Sequence, residues 1–456
     1  MTSIRLCFAL AIIIYCNHTT AYAQSSAEFH AWATKPPMGW NSWDCYGPTV
    51  TEVEVKANAD YMAKLLKQHG WEYVVVDIRW YEKFPTSHGY NPKAELVMDE
   101  HGRFWPAENR FPSARDKQGF KPLADYVHGL GLKFGIHLMR GIPVLAVEQD
   151  TKILNSKATA ADIYSTDQQC PWLKDMYTVV ADKPGAQEYY DSVIALYASW
   201  GVDYLKIDDL SRPYHLKEIE LIRRAIDKTG RPIVLSLSPG ATPLDEAEHV
   251  VSHANLWRIS DDFWDRWVDI VAQFDRCRDW APHTGPGHWP DADMLPLGKI
   301  GLRAERGDPR WTNFTPPEQK TMLTLWSIFR SPLMFGGDLP SNDAATLALI
   351  TNDEVLAVNQ ASTNSRELFR RDGHIVWTAD VPNSQDRYVA LFNLNDRPAG
   401  NANTQTVGVS WHELGLEAMC SVRDLWSHSD LGVNGMGFGA EIEFHGAGLY
   451  RISPKE

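Results

Sequence analysis

One unit recurs through most of this chain and limits what it can fold into: a short apolar run, a polar or acidic residue directly after it, then an amphipathic stretch. Residues 202–212 (VDYLKIDDLSR) show it in its densest form. Val202, Tyr204, Leu205 and Ile207 read as a buried strand, and Asp208 and Asp209 stand at its C-terminal tip. Similar runs occur at 37–44, 73–80 (YVVVDIRW), 133–139, 232–237, 256–259, 287–295 and 333–336. Helical patterns lie between them. Thr51 and Glu54 form a capping box, Val55, Ala59, Met62 and Leu66 mark one face, and Gly70 ends the helix. Further helices are expected over 120–130, 187–200, 215–228 and 264–279. Strands alternating with amphipathic helices imply parallel β-α-β units. About eight of them predict a closed (β/α)8 TIM barrel, whose chemistry sits at the C-terminal ends of its strands. No GxGxxG follows the first strand, which counts against a dinucleotide fold.

Past about residue 360 the helical period gives way to short alternating segments at 375–379, 387–393, 406–411, 421–425 and 441–452. These predict a C-terminal antiparallel β-sandwich over 361–456, after a catalytic barrel over 24–360. Two long connections, 81–119 and 141–184, both follow strands and are expected to overhang one rim as lids. Residues 1–23 read as a secretory signal: Arg5, an apolar run over 6–16 too short to span a bilayer, and Ala21-Tyr22-Ala23 as a cleavage site. The expectation is a secreted or periplasmic protein with no membrane contact after cleavage.

The formal charge of −14 argues against nucleic acid and anionic membranes as partners. Of the 6 Cys, Cys7 and Cys16 fall in the signal; Cys45, Cys170, Cys277 and Cys420 are too scattered for a zinc site. An oxidising compartment permits a disulfide, but no pairing follows, and buried thiols are expected. The 16 His are dispersed without an HExxH element, so neither metal nor cofactor is expected.

Strand tips carry Trp43, Asp44, Asp77, His137, Lys206, Asp208, Ser236, Ser238, Arg258, Asp261, Asp262, Asp291, Asp293 and Asp338. An Asp after a strand also caps the next helix, but a whole ring of acids with Trp, Lys and Arg suits a carbohydrate. Carboxylates accept sugar hydroxyls, and Trp stacks on a ring's apolar face. Glycoside cleavage needs two carboxyls, one nucleophilic or basic and one protonated. Asp208 and Asp262 are the expected pair. Lys206 lies two residues before Asp208, on the same strand face, and would keep it ionised. Asp262 adjoins Phe263 and Trp264; burial there would raise its pKa and suit it to act as an acid. Trp264 and Trp267 read as helix–barrel packing rather than a sugar platform, and His137 as a pocket-wall or core residue rather than a base.

The chain resembles glycoside hydrolase family 27, the melibiase or α-galactosidase-like retaining enzymes. The carriers are PPMGWNSWD (36–44), VVVDIRW (74–80), RFPS (110–113), GLKFGIH (131–137), YLKIDD (204–209), WRISDDFWDRW (257–267), GHWPDADML (287–295) and SPLMFGGDL (331–339). The resemblance implies a barrel with a C-terminal β-sandwich, no cofactor, Asp208 as nucleophile and Asp262 as general acid/base, with Asp261 second choice. It implies sugar contacts from Trp43, Asp77, Lys206 and Arg258, and structural support from Asp291 and Asp293. His137 and Ser238 stand where relatives carry other side chains and are taken as substrate-binding. The family's two consecutive acids after the second strand are reduced to Asp77, followed by Ile78 and Arg79. The expected activity is hydrolysis of terminal α-D-galactosides. The alternatives are the same chemistry on a related glycone such as a β-L-arabinopyranoside, or a non-catalytic sugar-binding protein.

Overall fold

The computed structural model describes residues 28–304, 306–399, 402–417 and 419–455. The signal expected over 1–23 lies outside them. Eight parallel strands form one sheet: β1 Met38–Asn41, β2 Tyr73–Val76, β3 Lys133–Met139, β4 Tyr204–Asp208, β5 Val234–Leu237, β6 Leu256–Arg258, β7 Trp289–Asp291 and β8 Leu333–Phe335. Their spatial order is β7-β6-β5-β4-β3-β2-β1-β8. Leu295, just past β7, bridges Phe335 in β8; its N–H donates to Met334 O at 2.8 Å and its carbonyl accepts from Gly336 N at 2.9 Å. The sheet therefore closes into the expected barrel and leaves no open edge.

Strand register decides which side chains face the axis. Tyr73, Val75, Tyr204, Val234, Leu256, Trp289 and Met334 form one cluster inside the barrel. Side chains alternate along a strand, so positions two or four further on share that face. These are Asp77 after Val75, Lys206 and Asp208 after Tyr204, Ser236 and Ser238 after Val234, Arg258 after Leu256, and Asp291 after Trp289. The interior is thus apolar below and polar above. The opposite parity (Val74, Val76, Leu205, Ile207, Leu235 and Leu237) joins the larger core beneath the helices. Residues 28–33 cover the lower end. Trp289 Nε1 donates to Ala33 O at 2.7 Å, and Asn255 Nδ2 to Phe29 O at 3.0 Å.

The Thr51–Glu54 capping box is present, and Val55, Ala59, Met62 and Leu66 are all fully buried. The helix expected from residue 264 begins later, at Trp267–Trp280. Asp265 is held away from it by Arg310 (2.7 and 3.0 Å) and by Asn313 N (2.8 Å).

The C-terminal strands are β9 Thr363–Arg371, β10 His374–Asp380, β11 Arg387–Asn393, β12 Thr404–Ser410, β13 Cys420–Asp424, β14 Ser429–Asn434, β15 Gly437–Glu443 and β16 Ala447–Pro454. They form a six-stranded sheet, β9-β10-β11-β16-β13-β14, and a β12-β15 pair, all antiparallel. The edge strands β9 and β14 escaped the sequence reading because they are largely exposed and polar. The single segment expected over 441–452 splits where Gly446 N bonds back to Glu443 O at 2.9 Å.

Alternation gives the six-stranded sheet two apolar faces. Ile375, Trp377, Ala379, Ala390, Phe392 and Leu449 join the barrel's core, whereas Val376, Val389, Leu391 and Ile452 face the β12-β15 pair. Phe274 meets Phe392 at 4.9 Å, and Trp267 stacks on His445 at 3.9 Å. Trp267 therefore packs the sandwich onto the barrel. Truncating the fully buried Trp377 to Ala should cost about 3–5 kcal/mol. Since its ring belongs to the shared core, calorimetry should show one transition moved to lower temperature, not separate melting of the C-terminal unit.

Candidate active site

The polar upper layer opens into a cavity of about 530 Å³. Trp43, Asp77, Lys206, Asp208, Ser238, Arg258 and Asp262 all line it, with Asp44, Asp261 and Asp293. A larger hollow of about 820 Å³, bounded in part by Arg278, Arg330 and Arg387, contains none of the strand-tip acids.

Asp77 is buried and fully engaged. Its Oδ2 accepts from Lys206 Nζ at 2.9 Å and Asn41 Nδ2 at 2.8 Å, and its Oδ1 accepts from Ile78 N at 2.8 Å. Burial opposes its charge, but Lys206 and His137 outweigh burial and keep its pKa below the usual carboxylate value. Asp208 is held in the same way. Burial works against the ionised form, yet His137, Lys206 and Ser238 bring its pKa down to about 2.

His137 is the correction to the expected binding set. It is fully buried and does not line the cavity; its Nε2 lies 2.8 Å from Asp208 Oδ2. β3 pairs His137 with Lys206 of β4, which sets the ring behind the carboxylate rather than in the sugar's path. Among the described residues, Asp208 Oδ1 has no partner in hydrogen-bonding geometry.

Asp262 is not buried as expected: 37% of its side chain is exposed. The Phe263 ring packs away into Phe314 and Trp326. Arg258 Nη2 reaches Asp262 Oδ1 at 3.4 Å and Asp293 Oδ2 at 2.7 Å. Asp261 pairs with Arg212 at the exposed rim. Trp264 also lines the cavity.

Elsewhere in this layer the acids behave differently. Burial and then neighbouring Asp293 push Asp291 up to about 7, and the same two causes raise Asp44 well above the usual range. Asp293 is itself raised, burial outweighing Arg258. Its Oδ2 also accepts from Phe263 N at 2.7 Å, fixing the loop that carries Asp262.

Both long connections reach the mouth. Tyr90 comes from one and Trp172 from the other, and the rings stack in series: Trp43 on Tyr90 at 6.1 Å, Tyr90 on Trp172 at 5.9 Å. Arg79 links the two segments from below. It is buried with a left-handed φ of 71°, and it bonds Glu82 at 2.8 Å and Asp175 at 3.0 Å. Sequence reasoning also missed Arg140, which holds Asp209 at 2.9 Å and Glu218 at 3.0 Å directly behind the β4 tip. Only the doubled Asp208-Asp209 hinted at this support. Cys45, Cys170 and Cys277 are buried free thiols, and Cys420 is also buried. Among the described residues no helix is long and apolar enough to cross a membrane.

Family comparison agrees with this geometry. The model for alpha galactosidase A matches residues 154–361, and that for the alpha galactosidase C-terminal beta sandwich domain matches 371–452. Alpha-galactosidase 3 of Arabidopsis thaliana is 31% identical over 436 residues, covering 93% of this chain and 83% of that protein. The crystal structure of a family 27 β-L-arabinopyranosidase from Geobacillus stearothermophilus matches at 53% identity and a TM-score of 0.91, covering 94% of this chain and 99% of that one. A variant of that enzyme in complex with arabinose matches with the same TM-score and 52% identity over 95% of this chain and 100% of that one. The chain belongs to glycoside hydrolase family 27, the α-galactosidase-like glycoside hydrolases.

Proposed function

We propose that this enzyme is a retaining exo-glycosidase that releases terminal β-L-arabinopyranosyl residues in preference to α-D-galactosyl ones. The carrying observation is Ile78, an apolar side chain on the cavity wall beside the fully engaged Asp77. The two sugars share ring stereochemistry, but galactose carries a hydroxymethyl group that arabinopyranose lacks. A hydroxyl buried against Ile78 would give up its water without a new partner, at about 1–3 kcal/mol. A bare ring methylene would bury favourably there. Identity above one half to the Geobacillus β-L-arabinopyranosidase supports the same reading. The second reading, α-galactosidase, uses the same machinery and is favoured by the names of the curated relatives.

The proposed chemistry is double displacement. Asp208 attacks the anomeric carbon while Asp262 gives its proton to the departing glycosidic oxygen, so the C–O bond breaks and a glycosyl ester forms. Asp262 then takes a proton from water, which displaces Asp208 at the same carbon and restores the original configuration. Asp208 suits the first role: it lines the cavity, and neighbouring His137 and Lys206 hold it ionised. Asp262 suits the second because its partial exposure lets the leaving group depart and water enter.

Aryl β-L-arabinopyranoside should show a higher kcat/KM than aryl α-D-galactoside. Wild-type preference for the galactoside would return the assignment to α-galactosidase. Ile78→Asp should raise the galactoside-to-arabinoside ratio about tenfold or more, since 1.4 kcal/mol corresponds to a factor of ten. Asp208→Asn should abolish turnover while leaving the fold intact by circular dichroism, and NMR of the first-formed sugar should show the substrate's own anomer. An inverted product would rule out the covalent route.

The low pKa of Asp208 keeps it charged from about pH 2 upward, so its titration should not set the acidic limb of kcat/KM near neutrality. Lys206→Met removes one of the charges that lower that pKa. The Asp208 pKa should rise, read as an upward shift of that carboxylate's own titration followed by NMR, whatever happens to the absolute rate.

A further inference from the structure

We propose that the outer wall of the barrel carries a divalent transition-metal site built from Glu220, His249 and His253, separate from the sugar cavity. His249 and His253 lie one turn apart on the helix Ala247–His253, and Glu220 comes from the neighbouring helix Leu216–Thr229. One donor atom from each falls within 4.8 Å of the others. The two imidazoles stack at 4.1 Å, and His249 Nε2 lies 3.9 Å from Glu220 Oε1.

Hydrogen bonding on the far side of each ring sets up the near side. His253 Nδ1 lies 2.8 Å from the His249 carbonyl oxygen. A carbonyl only accepts, so Nδ1 carries the hydrogen, and in the neutral ring Nε2 holds the lone pair. His249 Nδ1 lies 2.7 Å from Tyr214 Oη. When that nitrogen donates to the phenolic oxygen, Nε2 again holds a lone pair. His249 Nε2 is a buried atom with no hydrogen-bond partner among the described residues. A backbone carbonyl or hydroxyl behind a histidine is the arrangement that orients metal-binding imidazoles.

Two imidazole nitrogens and one carboxylate oxygen select zinc, nickel or copper over magnesium or calcium. An open hollow that Glu220 and His253 both line leaves room for water at a fourth position. Arg224 reaches the second oxygen of Glu220 at 3.4 Å and competes for it, which points to moderate affinity. A metal held here would clamp two adjacent barrel helices together and stabilise the fold without touching the strand tips.

The test uses the full-length enzyme without a polyhistidine tag. Calorimetric titration with Zn²⁺ should show one site per chain, and about 100 µM Zn²⁺ should raise the melting temperature. His253→Ala and the milder Glu220→Gln should each weaken Zn²⁺ binding at least tenfold and remove the thermal shift. Both should keep wild-type glycosidase activity, which also reports that they fold. Co²⁺ should give a visible spectrum with nitrogen ligation in the wild type that His253→Ala loses. No saturable binding below about 100 µM, or equal binding by wild type and His253→Ala, would overturn the proposal.

Discussion

The site depends on one constraint: the inward parity of eight closed strands carries charged groups into the barrel, where each must be compensated. A buried charge without a partner costs several kcal/mol. Two cations, Lys206 and Arg258, face five acids near the mouth: Asp44, Asp77, Asp208, Asp291 and Asp293. The compensation is uneven. Asp77 and Asp208, beside Lys206 and His137, are pulled to low pKa. Asp291 and Asp44, dominated by burial and by Asp293, are pushed up. Similar side chains in one layer are thus pulled in opposite directions according to which neighbour each meets.

Much of this was legible in the residue pattern. Period-two alternation identified the strands, and their acidic tips identified the rim, because both are local signals. What failed was depth. The sequence puts His137 on the inward face of β3 but cannot say that it ends up behind Asp208 rather than beside a sugar. Phe263 and Trp264 suggested a buried Asp262, yet the Phe263 ring turns into Trp326 and Phe314 and leaves Asp262 partly exposed. Arg79 and Arg140 were invisible as supports because their partners lie up to 96 residues away. The edge strands β9 and β14 carry no buried stripe, so no period marks them.

The supports explain how one pocket residue could retune specificity without unsettling the chemistry. Arg79 sits between Glu82 and Asp175, so the two rim segments share one buried cation and hold each other. Removing both acids would strand a charge that is only 2% exposed. Arg140 does the same behind β4, tying Asp209 to Glu218. Ile78 precedes Arg79 in the chain yet belongs to neither network; its backbone N–H bonds Asp77. Its side chain bears no charge and makes no hydrogen bond, so exchanging it alters what the wall offers a sugar while the Lys206–Asp77 and His137–Asp208 pairs keep their geometry.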